Sequence, residues 1–198
     1  MAESATEICN IALGLIGQRR ITSLDDNTLS AQTCKSFYAS SRDALLELAH
    51  WRFATARKNL ALTGTPPSEW MYQYAYPSDC LKPRYIASGY RRPARNQEVP
   101  FVVELDDENS RVILTTRASA ELVYTRRIEV VGYMTAGFAD FLASRLAQKL
   151  IGPLRANDNR RPEVKAALER AAGEALLEVV DHGTPEVEPD AEWIRARS

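Results

Sequence analysis

The sequence has few of the residues on which enzyme active sites commonly depend. Among its 198 residues are two histidines and three cysteines, and Cys9, Cys34 and Cys80 form no C-x-x-C pair. We therefore expect buried free thiols in a reducing compartment. No G-x-S-x-G, P-loop, H-E-x-x-H or dinucleotide-binding motif is present. The residues thus indicate no catalytic group, no metal and no cofactor.

Two weaker arrangements remain open. A pair of Cys34 with His50 is compatible with the spacing, although a buried thiol and a histidine in a turn explain the same residues more simply. The acidic residues at 25–26 and 106–108 offer oxygen ligands for a hard cation. A helix cap and a hairpin loop account for these carboxylates without a metal.

The chain also lacks an excess charge and a long apolar run. The 25 Lys and Arg residues balance 26 Asp and Glu residues, which leaves a net charge of -1. A dedicated nucleic-acid binder is usually clearly basic, and a membrane-spanning helix needs about 18 consecutive apolar residues. The first seven residues have no basic segment or apolar core of a signal peptide. We expect the protein to be made, and to stay, in a cytoplasm-like environment.

Apolar residues at helical spacing predict four helices, at residues 4–16, 28–49, 135–151 and from Pro162 to about His182. Ser4 and Thr135 are suitable N-caps for the first and third helices, and one of residues 25–27 for the second. The fourth helix has a narrow, alanine-rich stripe that favours close helix packing. Its members are Val164, Leu168, Ala171, Ala175 and Val179.

Residues 58–134 differ in kind and predict a small antiparallel sheet. The pattern indicates a short strand at 59–63, a hairpin of 100–105 with 111–116, and a strand at 121–128. A further strand at 81–87 contains Pro83, which confines it to an edge or an end. The aromatic residues from Trp70 to Tyr76 favour core or interface packing over base stacking, because no Lys or Arg lies between them.

These elements predict an α+β fold with a four-helix bundle-like core, two helices from each end of the chain, and a small antiparallel β insertion. The helical core comprises residues 1–57 and 135–182, the insertion residues 58–134, and an acidic, flexible docking tail residues 183–198. The expected core anchors are Phe37, Trp51, Phe53 and Phe141. Arginine pairs at 19–20, 91–92, 126–127 and 160–161 fit a solvated surface, phosphate contacts or ion pairs between subunits.

An ordered set of motifs runs from Glu7 to Leu81. In chain order they are Gly14-Leu-Ile-Gly-Gln, Ile21-Thr-Ser-Leu-Asp-Asp, Phe37-Tyr38, Arg42-Asp43, His50-Trp51-Arg52-Phe53-Ala54, Trp70, Tyr74-Ala75-Tyr76-Pro77 and Asp79-Cys80-Leu81. The set resembles the tail tubular protein A family, the head-to-tail adaptors of short-tailed bacteriophages. Residues 87–100 carry no motif that matches.

The resemblance implies a structural protein of the virion neck, assembled in the host cytoplasm, with no enzyme activity and no cofactor. It implies a homo-oligomeric ring, expected to be a dodecamer, between the portal protein and the tail nozzle protein. Phage DNA would pass through its lumen with transient, non-specific contact, and no membrane is involved. Two rival functions stay open. A tail-associated peptidoglycan hydrolase needs a converging carboxylate or Cys-His pair, and a cytosolic DNA-binding module needs a strongly basic face.

Two sets of contact residues follow from this interpretation. Tyr90, Arg91 and Arg92 of the insertion are expected to contact the nozzle or a neighbouring subunit. The tail brings an aromatic, an aliphatic and two arginine side chains together, and Trp and Arg dominate binding hot spots. We expect this group to dock on the portal or on a neighbour. It consists of Trp193, Ile194, Arg195 and Arg197.

Overall fold

Two bodies, one helical and one built of strands, make up the part of the chain that the structure describes. The computed structural model describes residues 4–89 and 98–181. The helices are α1 (Ala5–Leu15), α2 (Leu29–Leu48), α3 (Ala136–Leu150) and α4 (Arg161–Asp181). The strands are β1 (Thr55–Asn59), β2 (Tyr72–Ala75), β3 (Cys80–Ile86), β4 (Phe101–Leu105), β5 (Arg111–Thr115) and β6 (Glu121–Arg126). The predicted α+β class is confirmed.

Local hydrogen bonds explain where the helices begin. The Ser4 hydroxyl accepts the Glu7 N–H at 3.2 Å, as the cap pattern predicts. Thr135 caps α3 in the same way, since its hydroxyl accepts a backbone N–H at 3.3 Å. The predicted cap of α2 among residues 25–27 is wrong, because Thr28 accepts the Ala31 N–H at 3.2 Å.

Helix α3 is the centre of the helical body. It packs against each of the other three helices, whereas α1 and α2 meet only over a short stretch. Its Phe, Leu and Ala side chains are buried around most of its circumference, as expected for a helix that is apolar on several faces. The predicted four-helix bundle-like core is therefore not confirmed.

Helix α4 packs through the stripe that its sequence predicts. Val164, Ala171 and Ala175 are buried, while Leu168 and Val179 are partly buried against the same core. Gly137 of α3 faces α4, where a Cβ would lie at ordinary contact distance, 3.6 Å, from the Ala175 Cα and 3.0 Å from a carboxylate oxygen of Glu178.

The strands form two three-stranded antiparallel sheets, in the orders β1-β6-β3 and β2-β5-β4. Isolated bridges from Leu62 to Tyr74 and from Ile86 to Val99 connect the sheets at both sides. This β body is larger than the predicted insertion, because β2 was not predicted and β1 begins at Thr55. Pro83 lies in an edge strand with an irregular register, as its side-chain ring requires.

The β body has its own small core between the sheets. Buried Tyr74 and Tyr124 are its largest side chains, and Tyr74 donates its hydroxyl to the Arg117 carbonyl at 3.0 Å. Tyr72 and Tyr76 are partly buried beside them. The aromatic cluster therefore contributes to packing, as its sequence suggested.

Candidate interaction surfaces

The groups that first suggested chemistry lie apart from one another. Cys34 contacts Cys9 across α1 and α2, and the hydrogen bond between the two buried thiols, together with burial, raises the pKa of Cys9. His50 instead lies beside Tyr85 of β3, with ring centroids 6.3 Å apart. The Cys34–His50 pair is thus not formed. Among residues 4–89 and 98–181, no group of three or more His, Cys, Asp or Glu residues has the arrangement of a metal site.

Asp106 has a structural role in the β4–β5 loop. Asp106 accepts the N–H groups of Glu108 and Ser110 at 3.0 and 2.8 Å. Asn109 adopts φ 59, a left-handed conformation that asparagine tolerates well. These contacts close a tight hairpin loop.

The two bodies are joined where β3 meets the end of α2. Arg84 donates from its guanidinium to the carbonyl oxygens of Leu46, Glu47 and Ala49, the first two at 3.2 and 3.3 Å. Its Nε also donates to the Thr125 hydroxyl at 2.8 Å. The last carbonyls of a helix have no partner within the helix. Arg84 therefore caps α2 from the β body, and its positive charge suits the negative end of the helix dipole.

Charged side chains extend this joint along α2. Arg42, whose side chain is 8% exposed, pairs with Asp43 at 2.8 Å, and Asp43 pairs with Arg127 at 3.0 Å. A nearly buried cation needs such a partner, because an unpaired buried charge is strongly destabilising. Arg127 belongs to the segment after β6, so the pair links α2 to the end of the β body. We call these residues, with Arg84, the interbody joint.

Trp51 fills the helical side of the joint. It is 2% exposed, and its indole N–H donates to the Leu45 carbonyl at 2.7 Å. Its ring lies 5.0 Å from that of Phe138 in an edge-to-face arrangement, and Phe53 also meets Phe138 edge to face, at 5.1 Å. Of the other expected anchors, Phe141 is buried and Phe37 is partly buried against the same core.

Three of the sequence motifs between Glu7 and Leu81 lie at this joint. Arg42-Asp43 and His50-Trp51 lie on its helical side, and Asp79 lies on its β side. Asp79 accepts the Tyr124 hydroxyl at 2.9 Å, and its carbonyl accepts the Arg127 N–H at 2.9 Å. Sequence reasoning missed Arg84, since nothing local in an edge strand marks an arginine as a cap for a distant helix.

Burial lowers the pKa of His50, and the positive charges of Arg84 and Arg57 lower it further. The Nε2 atom of His50 is buried without a hydrogen-bond partner among the described residues. A neutral imidazole therefore suits this position better than an imidazolium.

Large apolar side chains are exposed on separate parts of the surface. In the β body they are Leu62, Met71, Val103 and Leu105, and after β6 they are Val130 and Tyr133. On α4, Leu177 and Val180 are 69% and 65% exposed, and Leu176 lies beside them. Exposed apolar groups of this kind mark protein interaction sites more often when they cluster. The sequence pattern of α4 did not predict the exposed apolar residues on this helix.

A groove of about 290 Å³ lies near the C-terminal part of α4. Its lining combines apolar and charged side chains, namely Trp51, Arg52, Phe53, Thr135, Glu178 and Val179. The groove borders the end of the described chain, from which the predicted tail continues.

Several predicted contact residues lie outside the described residues. They are Tyr90, Arg91 and Arg92 of the insertion, and Trp193, Ile194, Arg195 and Arg197 of the tail. The predicted tail, residues 183–198, lies wholly in that part of the chain.

The arginine pairs have different surroundings. Arg127 belongs to the interbody joint, while Arg126 is exposed. Arg160 lies against Gly17, so the pairs at 19–20 and 160–161 meet at one end of the helical body.

No protein-family model matches the chain, and no curated protein matches its sequence. In the part of the chain that the structure describes, no helix has the length and apolar character to cross a membrane. The exposed surfaces of the two bodies are therefore the basis for assigning a function.

Proposed function

We propose that the protein is a structural head-to-tail adaptor of a short-tailed bacteriophage. In this proposal it forms a ring between the portal protein and the tail nozzle protein, and it carries no enzyme activity. The observation that carries the proposal is the exposure of apolar side chains on separate parts of both bodies, together with the motif residues at the interbody joint.

A closed ring of identical subunits requires head-to-tail contacts, in which two different surfaces of one subunit are complementary. An adaptor needs two further surfaces, one for each ring that it connects. The exposed residues of α4, of the β body and of the segment after β6 supply separate candidates for these contacts. A dodecamer is the assembly that the family resemblance suggests.

The β body offers an edge strand for contact with another chain in this arrangement. Strand β4 lies at an edge of its sheet and exposes Val103 and Leu105. Edge strands invite pairing with another chain. We propose that the β body, with Tyr90, Arg91 and Arg92, faces the nozzle or a neighbouring subunit.

The tail residues Trp193, Ile194, Arg195 and Arg197 are proposed to dock on the portal or on a neighbouring subunit. Prolines at 185 and 189 favour an extended chain and limit the entropy lost on docking. The test is a chain that ends at His182. We expect it to keep the melting temperature of the full chain but to lose binding to portal-bearing capsids in a co-sedimentation assay.

A matched variant of the full chain, Trp193→Ala with Ile194→Ala, should lose binding in the same way. If the shortened chain sediments with capsids as the full chain does, the tail is not the docking element. The adaptor would then have to bind the portal through surfaces of the two bodies.

A further inference from the structure

One end of the helical body is strongly basic although the whole chain is nearly neutral. We call it the basic end, and it comprises residues 17–20 and 155–161. It contains five arginines against one aspartate, namely Arg19, Arg20, Arg155, Arg160 and Arg161 against Asp158. Arg161 pairs with Asp158 at 2.7 Å. The other four arginines are exposed, and none of the ion pairs in the described part of the chain includes them.

The backbone holds the first two arginines between fixed points. At the end of α1, Gly17 adopts φ +72 and the Gln18 N–H donates to the Leu13 carbonyl at 2.9 Å. This is the Schellman arrangement that closes many helices. Beyond the arginines, the Asn10 side chain makes two hydrogen bonds with the backbone of Ile21, at 2.8 and 2.9 Å. Arg19 and Arg20 therefore lie on a short, anchored loop.

The same arrangement follows α3. The Ala156 N–H donates to the Ile151 carbonyl and the Arg155 N–H to the Gly152 carbonyl, both at 3.0 Å. Arg155 occupies the left-handed position with φ 47, where glycine is the usual residue. An arginine held in this conformation costs conformational energy, which points to a use for its side chain.

The two loops lie side by side. A Cβ on Gly17 would be 3.2 Å from Nε of Arg160, so this guanidinium lies over the end of α1. Arg155 is five residues from Arg160, and five residues span at most about 18 Å. All four arginines therefore share one end of the molecule.

The chemistry of this end favours phosphate over a protein partner. Arginine presents a planar fork of N–H donors that matches phosphate oxygens. Protein interfaces need an apolar centre, but the large apolar residues of these loops are buried, among them Ile16, Ile21 and Leu154. The exposed neighbours include Asn157 and Asn159, whose amides also donate to phosphates.

We propose that the basic end contacts the phosphate backbone of double-stranded DNA without reading its sequence. This assignment rests on the proposed function for one point, namely that the nucleic acid is the DNA passing through the ring. The assignment places the basic end at the lumen of that ring. Four arginines give a salt-sensitive contact that forms and breaks rapidly. Such a contact guides a sliding duplex without holding it.

The test measures binding of the full chain to a fluorescent DNA duplex by anisotropy, for two unrelated sequences, at several salt concentrations. Four phosphate contacts predict a slope of about -3.6 for log affinity against log salt. The two sequences should bind equally. The variant with Arg19→Gln, Arg20→Gln, Arg155→Asn and Arg160→Gln should bind about tenfold or more weakly at low salt, with a slope near zero.

A control variant removes the same charge from the β body, through Arg57→Gln, Lys58→Gln, Arg117→Gln and Arg126→Gln. It should leave the slope unchanged. If the fourfold variant has a lowered melting temperature, it is replaced by a variant that retains Arg155 and changes only Arg19, Arg20 and Arg160 to Gln. It should reduce the magnitude of the slope by about 2.7.

Three results would overturn the assignment. They are no salt-dependent binding by the unchanged protein, an equal loss in the control variant, or loss of portal binding by the fourfold variant with unchanged DNA binding. The last result would make the basic end a contact for an acidic protein. Ring formation with the portal is scored separately by microscopy. Rings without DNA binding refute this assignment alone, and DNA binding without rings refutes the adaptor function.

Discussion

The helical body and the β body bury their apolar residues to different extents. In the helical body, one continuous core joins all four helices and includes fully buried side chains such as Phe138, Leu142 and Leu146. The β body has a small core around Tyr74 and Tyr124, and exposes several large apolar side chains on its strands and loops. The difference indicates that the helical body contributes most of the buried core, whereas both bodies keep exposed apolar side chains, in the helical body chiefly on α4.

The largest expected effect tests the helical side of this comparison. Trp51→Ala should reduce the free energy of unfolding by about 3–5 kcal/mol, because it removes a buried ring from the Phe138 cluster. Trp70→Ala, in the β body and only partly buried, should cost clearly less. Urea unfolding followed by circular dichroism measures both. Equal losses would mean that the two bodies do not differ as described.

The next effect tests the connection between the bodies. Arg84→Met should destabilise the protein by about 1–3 kcal/mol, because carbonyls at the end of α2 lose their donor. Lys82→Met is the matched control, since the exposed Lys82 makes a single hydrogen bond to the Glu47 carbonyl at 3.1 Å. Its cost should be smaller.

Unfolding of the Arg84→Met variant also tests cooperativity. Far-ultraviolet circular dichroism is dominated by the helical body. Tryptophan fluorescence follows the β body when it is measured in a Trp51→Phe, Trp193→Phe background that leaves Trp70 as the fluorophore. We expect the two transitions to separate in this variant and to coincide in the Lys82→Met control. Coincident transitions with unchanged stability would show that Arg84 does not couple the bodies.

The comparison also explains what sequence analysis could predict. Helices follow from local signals, so the stripe of α4 and the caps Ser4 and Thr135 were predicted correctly. Strand β1 contains Arg57 and Lys58 and lacks the alternation of apolar and polar residues that marks a strand. Its conformation depends instead on pairing with β6. Strand propensity is weaker than such tertiary context.

The candidate surfaces were less predictable than the fold. The interbody joint connects Asp43 with Arg127, and Arg84 with the end of α2, across long stretches of sequence. Periodicity cannot reveal contacts between residues so far apart. The arginine pairs at 19–20 and 160–161 were noticed in the sequence, but their meeting at one end depends on how α1 packs near the start of α4.

The smallest expected effect concerns pH. Burial and the nearby Arg84 and Arg57 lower the pKa of His50 below its ordinary value of 6.5. The unfolded chain therefore binds a proton at a higher pH than the folded chain does. The stability that His50 contributes is fully present above pH 6.5 and is lost as the pH falls toward the folded pKa.

Measured stability between pH 7.5 and 5 checks this sign. His50→Gln should flatten part of the decrease, and comparison with the control His182→Gln, which removes the other histidine, shows how much of the decrease belongs to His50. A His50→Gln variant that loses stability with acid as steeply as the unchanged protein would contradict the assignment.

The most direct test of the adaptor function is electron microscopy of the protein mixed with the portal protein encoded by the same genome. Negative-stain images should show portal rings capped by an additional ring with the symmetry of twelve subunits, and the chain ending at His182 should leave the portal rings bare. Portal rings that stay uncapped at a saturating concentration of the full chain would contradict the proposed function.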